Sequence, residues 1–232
     1  MKVSSLTLRS LAVAVSLVAV GTSAQALTIA ANGLMANSVQ AFSQEAQDAF
    51  DAGKVTVTPL GNATSVGVEG APGAYSFPIT SITIGSKLNI AAGDAKGSAL
   101  EIARVDRKLG KLAMVVANFT INYGTKQVMA DTTPMGAATP AGTATVRQAP
   151  LYNFHVATPL GLKYKFPLSI TGHEVLDQLT STPEANLAMK KALALDVVLR
   201  AALDGITTFG TLTQDIAVTK RTPAASTIPY TP

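Results

Sequence analysis

The residues of this chain best suited to proton chemistry near neutral pH are its two histidines, His155 in "YNFHVAT" and His173 in "SITGHEVLDQL". Glu174 and Asp177 follow His173 closely, and an imidazole held by a carboxylate is the working unit of general acid–base catalysis. A nucleophile would have to complete such a unit. The chain has no Cys and no G-x-S-x-G segment, so neither a thiolate nor a nucleophile elbow is written into it. Residues distant in sequence can still assemble a triad, but no motif argues for one, and the expectation is a protein that is not an enzyme. A second cluster, Glu45, Asp48 and Asp51 in "FSQEAQDAFDAG", has helical spacing. Three carboxylates with no His among them make a poor divalent-cation site, and they read as the wet side of a helix. H-E-x-x-H, paired-His spacing, an EF-hand loop, a P-loop and G-x-G-x-x-G are all absent, so neither a metal nor a nucleotide is expected. Arg104, Arg107, Lys108 and Lys111 surround Gly110, with Asp106 among them, and read as a solvated turn.

The start of the chain has a different character. Lys2 and Arg9 precede the apolar run "LAVAVSLVAVG", and "AQA" follows at Ala24–Ala26. A positive start, a short apolar stretch and an Ala-x-Ala end are the parts of a secretory signal peptide, and the run falls short of the ~20 residues that cross a bilayer. Residues 1–26 are therefore expected to be a signal peptide and the protein to be exported, to the periplasm, the cell surface or beyond. Without Lys2 and Arg9 the net charge falls from +4 to +2, 16 basic residues against 14 acidic, which makes no electrostatic case for nucleic acid. With no disulfide possible, the fold must rest on burial and backbone pairing. Charged residues make up only 14% of the chain, below the ~25% of ordinary soluble domains, a composition that suits self-association or a place in a cell-surface assembly.

The elements that must position these residues are mostly strands. From Leu27 to Gly53 the chain reads as helical, with Phe42, Ala46, Ala49 and Phe50 on one stripe. Beyond it the period is two: "KVTVTP", "YSFPITSITIGSKLNI", "SALEIARV" and "KLGKLAMVVANFTINYG" all alternate. "LYNFHVATPLGLKYKFPLSI" reads as a hairpin, with Tyr152, Phe154 and Val156 on one face and Leu162, Tyr164, Phe166 and Leu168 sharing a face of the return strand. His155 falls on the opposite, wet face. Gly61–Ala74 and Asp131–Pro150 read as Gly/Pro-rich loops. A late helix begins at a Thr182 cap with Pro183 and Glu184 in its first turn and runs to Gly205. The expectation is a mainly β protein, an antiparallel β-sandwich-like single domain over 27–221 with an N-terminal helix and one late packing helix, followed by a disordered tail at 222–232.

The order of a helix, "GKVTVTPLGNAT", "YSFPITSITIGSKLNI", further strands and a late helix with a closing strand resembles secreted bacterial β-rich surface proteins, the nearest named relative being the HtaA-type haem-uptake domain. "GHEVLD" at Gly172–Asp177 is similar to a Gly-His…Leu-Asp stretch of that family. The resemblance implies a surface location and raises haem as a ligand. The family's Trp-rich opening segment with its haem-ligating Tyr has no counterpart, since this chain has no Trp. Ligand binding, if present, is expected at His173, Tyr164 and His155. Two functions follow as expectations: a structural or adhesive cell-surface role, and, as the alternative, a carrier of an apolar ligand such as haem or lipid.

Overall fold

In the computed structural model, residues 26–68, 71–85, 90–136, 139, 143–165 and 169–232 are described. The expected signal peptide, up to residue 25, and Phe166 and Leu168 lie outside them. Twelve strands form the frame: β1 Leu27–Ala30, β2 Leu34–Ala41, β3 Thr56–Gly61, β4 Thr64–Val68, β5 Ala71–Pro78, β6 Ser81–Ile84, β7 Ile90–Asp106, β8 Gly110–Asn122, β9 Gln127–Gly136, β10 Val146–Lys165, β11 Ser169–Ser181 and β12 Thr211–Lys220. Among the described residues three helices accompany them, α1 Gln44–Ala52, α2 Pro183–Ala192 and α3 Val197–Gly205. The protein is mainly β and antiparallel, as expected.

The strands belong to one hydrogen-bonded sheet, ordered β1-β6-β7-β8-β9-β10-β11-β12-β2-β5-β4, with β3 also beside β7. Only residues 31–33 separate β1 from β2, and only Ile79 and Thr80 separate β5 from β6. The β2/β5 pair therefore continues round a bend into the β1/β6 pair. A ladder that leaves β7 through β8 returns to β7 through β6, and the sheet coils around its own core. Phe77 on β5 meets Phe119 on β8 across that interior, ring centroids 4.7 Å apart.

The bend is held by named bonds. The Ala31 amide donates to Thr80 O at 2.8 Å and the Ile79 amide to Ala36 O at 2.9 Å. Arg221, just past β12, donates from its guanidinium to Leu34 O, Ala36 O and Asn37 Oδ1 at 2.8–2.9 Å. Those carbonyls lie where the strand is interrupted, so a side chain supplies partners that a regular ladder would have supplied.

Five sequence expectations change. The hairpin read over 151–170 does not turn before Leu162: β10 runs on through Lys165, with Leu162 and Tyr164 on it, and its partner β11 begins at Ser169. Leu27–Ala41 is not helix but two strands, and the N-terminal helix shrinks to α1. On β2 the buried positions are Ala36, Ser38 and Gln40, while Met35 faces out at 44% exposure, so the usual apolar-in pattern of a strand is absent. α1 does present the expected stripe, with Ala46 and Phe50 buried, and Ser43 caps it by accepting from the Ala46 amide at 3.1 Å. The late helix is split in two. Thr182 caps α2 as expected, but Ala194 adopts φ 45°, and Asp196 caps α3 by accepting from the Leu199 amide at 3.0 Å. The break lets both Leu193 and Leu195 turn into the core. The stretches read as loops at 61–74 and 131–150 are largely β4, β5, β9 and the start of β10. Finally, the segment 222–232, expected to be disordered, runs across the outer face of β7 and β8, where Tyr230 packs against the small cluster Ala99, Val115 and Ala117.

Removing the Arg221 guanidinium should open the bend. Arg221→Ala is expected to cost about 1–3 kcal/mol in urea denaturation, because partly buried carbonyls lose their donors. Arg221→Lys should recover only part of that, since one ammonium cannot reproduce the planar fork.

Candidate functional site

The register of β10, β11 and β12 decides what the histidines can do. His155 stands opposite Asp177 and His173 opposite Asp215. The Nδ1 of His155 lies 2.9 Å from Asp177 Oδ1, and the Nδ1 of His173 lies 2.8 Å from Asp215 Oδ1. Both pairs are on the outer, wet face, with the His side chains 60% and 54% exposed. Cross-strand polar pairs in that setting contribute little to stability. His173 and Asp215 also border a shallow groove of about 460 Å³ with Met35, Asn37, Lys163 and Thr171.

The three residues expected to bind a ligand are not gathered in one place. His155 and His173 belong to rungs four residues apart along β11, roughly 13 Å. Tyr164 is placed by its backbone opposite Ile170, three rungs beyond the Gly161–His173 rung toward the hairpin tip. Its side chain lies outside the described residues.

Glu174, next to His173, points the other way. Successive residues on a strand face opposite sides, so Glu174 enters the interior and is 4% exposed. There Tyr123 and Gln214 both donate to Glu174 Oε2, and Gln214 Nε2 reaches the Tyr123 hydroxyl at 2.7 Å. Burial raises the Glu174 pKa above its ordinary 4.5, and the hydrogen bonds from Tyr123 and Gln214 oppose that shift. Burial and the adjoining carboxylate raise the Tyr123 pKa as well. Sequence reading placed Glu174 beside His173 as an orienting acid. Two residues it did not consider take part instead: Asp215 orients His173, and Gln214 serves Glu174. Both come from β12, and pairing between distant strands leaves no mark in a local sequence window.

The acidic ridge is the wet side of α1. Glu45 accepts from Thr207 Oγ1 at 2.8 Å, and Asp48 accepts from Gln44 at 2.7 Å. The hydrogen bonds from Thr207 hold Glu45 below its ordinary pKa. Among the described residues no group of three or more His, Asp and Glu converges in a way that would hold a metal ion. The turn at Gly110 is likewise internally paired, Arg104 with Asp106 at 2.9 Å and Lys111 with Glu101 at 2.8 Å.

A larger concavity lies between α2 and the β8–β9 face. This groove of about 600 Å³ is bordered by Met114, Pro134, Val146, Leu187, Ala188 and Ala192, with Glu184 and Lys191 at its polar margin. Leu187 and Val146 are 52% and 58% exposed at its edge. Among the described residues no helix is long and apolar enough to cross a membrane.

Comparison with known proteins adds little to this geometry. No family model and no curated protein matches the chain. Among solved structures, the C-terminal domain of HtaA from Corynebacterium glutamicum aligns over 80% of this chain and 98% of that one, at 12% identity and a TM-score of 0.43. A likeness at that level carries no argument about fold or function.

The buried carboxyl predicts a pH dependence. The folded chain holds the Glu174 proton to higher pH than the unfolded chain does, so it binds more protons once pH exceeds about 4.5. Stability is thus expected to fall as pH rises from there through the folded pKa. In Glu174→Gln that decline should disappear, and the difference between thermal melts at pH 4.5 and pH 7 should shrink relative to the parent.

Proposed function

We propose that this is an exported, non-enzymatic carrier that holds the acyl chain of a lipid in the groove between α2 and the β8–β9 face. The observation that carries the reading is the wall formed by exposed Leu187 and Val146 with half-buried Pro134 and Ala188, in a concavity within the size range of small-molecule sites. Lys191 at the margin suits an anionic headgroup. Haem is the weaker choice for this groove, because neither His155 nor His173 borders it. A structural or adhesive role at the cell surface is the competing outcome. It would not require the groove.

Native mass spectrometry of protein purified from its own host should show a retained lipid mass, and a fluorescent fatty acid should bind saturably. Leu187→Glu, at an exposed position, should weaken that binding about tenfold or more with little change in stability, because a buried Leu contact is worth about 1.5–3 kcal/mol. Protein that retains nothing and binds the probe no better than Leu187→Glu would return the structural role to first place. A Soret band on haem titration, lost in His173→Ala but kept in Leu187→Glu, would move the site to the β11–β12 groove.

A further inference from the structure

On the outer face of β3, β7 and β8, two asparagines grip the backbone of the segment Ser226–Tyr230. Asn62 Nδ2 donates to Ser226 O at 2.8 Å, and the Ser226 amide donates back to Asn62 Oδ1 at 3.3 Å. Four residues on, the Tyr230 amide donates to Asn118 Oδ1 at 2.7 Å, and Asn118 Nδ2 donates to Tyr230 O at 3.0 Å. Each carboxamide thus pairs with one residue's N–H and C=O together, as a neighbouring strand would.

Both side chains are aimed by partners other than the segment they hold. Asn118 Nδ2 donates to Asp131 Oδ2 at 2.8 Å, which can only accept, and Asn118 Oδ1 accepts from the Gly97 amide at 3.1 Å, which can only donate. Its amide orientation is therefore fixed. Gln148 braces the same group, donating from its backbone to Asp131 and from its side chain to Asn118 O, both at 2.9 Å. Asn118 itself holds φ 54°, a left-handed conformation that Asn tolerates better than most residues. Asn62 is aimed by a bond from its Nδ2 to Lys96 O at 3.0 Å.

The floor of the groove is shaped for close approach. A Cβ on Gly97 would lie 2.9 Å from Ile228 O and 3.1 Å from Ser226 O, and one on Gly61 would lie 3.0 Å from the Tyr230 ring. Between the clamps Ile228 is 76% exposed, so its side chain contributes little, while Tyr230 packs, as Leu60 does, against Ala99, Val115 and Ala117.

We propose that this surface is a peptide-binding site, a preformed groove that reads an extended main chain through two asparagine clamps and one aromatic anchor, filled here by the chain's own Ser226–Tyr230. Its ligand class is an extended segment carrying an aromatic residue four positions after the first clamped residue. The chain's own tail supplies that segment in cis and competes with any segment offered in trans.

A chain ending at residue 221, confirmed folded by circular dichroism, should bind a fluorescein-labelled peptide of residues 222–232 saturably in fluorescence polarisation. The full chain should bind it at least tenfold more weakly, because its site is occupied. In the peptide, N-methylation at Tyr230 removes the donated hydrogen and should abolish binding, and Tyr230→Ala should weaken it at least tenfold. Equal binding by the N-methylated peptide, or none by the folded truncated chain, would overturn the proposal. If truncation prevents folding, amide exchange in the full chain decides the matter. The Tyr230 amide should exchange slowly and Asn62→Ala should accelerate it, and exchange at the rate of a free peptide would refute the site.

Discussion

The bend that joins β2/β5 to β1/β6 is the constraint on which the rest depends. A flat sheet of twelve strands would expose both faces and two edges, and a chain with no disulfide has nothing else to curl it. By turning two paired strands through one corner, the fold brings β5 over β8 and makes a single enclosed core. The corner interrupts regular pairing, and the carbonyls left there are met by Arg221 and by Thr80, whose own amide donates to Asp94 O at 2.7 Å. Small side chains allow the approach: Ala31 and Ala36 are buried there with Ile79.

An enclosed sheet has a dry face and a wet face, and that division sorts the ionisable residues. His155 and His173 stand outside, each beside an aspartate and open to water. Glu174, one residue along, stands inside with Tyr123 and Gln214. The interior is not uniformly apolar, since Ser38, Gln40 and Gln214 also face it, around a cavity of about 30 Å³ too small for a ligand. Concave surface large enough to hold a molecule occurs where α2 lies beside β8 and β9, and in the shallower groove bordered by His173 and Asp215.

Helix and tail lie on opposite faces of the sheet. α2 packs Ala185, Met189 and Ala192 into the core with Met114 and Val116, whereas the tail crosses the outer face over Ala99, Val115 and Ala117. α2 leaves an aliphatic groove beside it, whereas the tail fills the surface it crosses. The tail is fixed chiefly through backbone atoms, by side chains that the sheet has already oriented.

The sequence by itself determined the strand-rich character, the turn at Gly110, the apolar stripe of α1, the capped start of α2, and the wet face of His155. Each of these rests on spacing within a few residues, which local periodicity and capping chemistry express. β2 escaped because its buried positions carry Ala, Ser and Gln, so its alternation is one of size and partner and not of hydropathy. The tail escaped because a Pro- and Thr-rich segment has no pattern of its own, and its order comes from Asn62 and Asn118, more than a hundred residues away. Only the tertiary structure decided that His173 meets Asp215 and not Glu174, and that Asp177 serves His155. Those partners are chosen by strand register, which is set by how the whole sheet packs, and a shift of one residue would exchange the inner face for the outer.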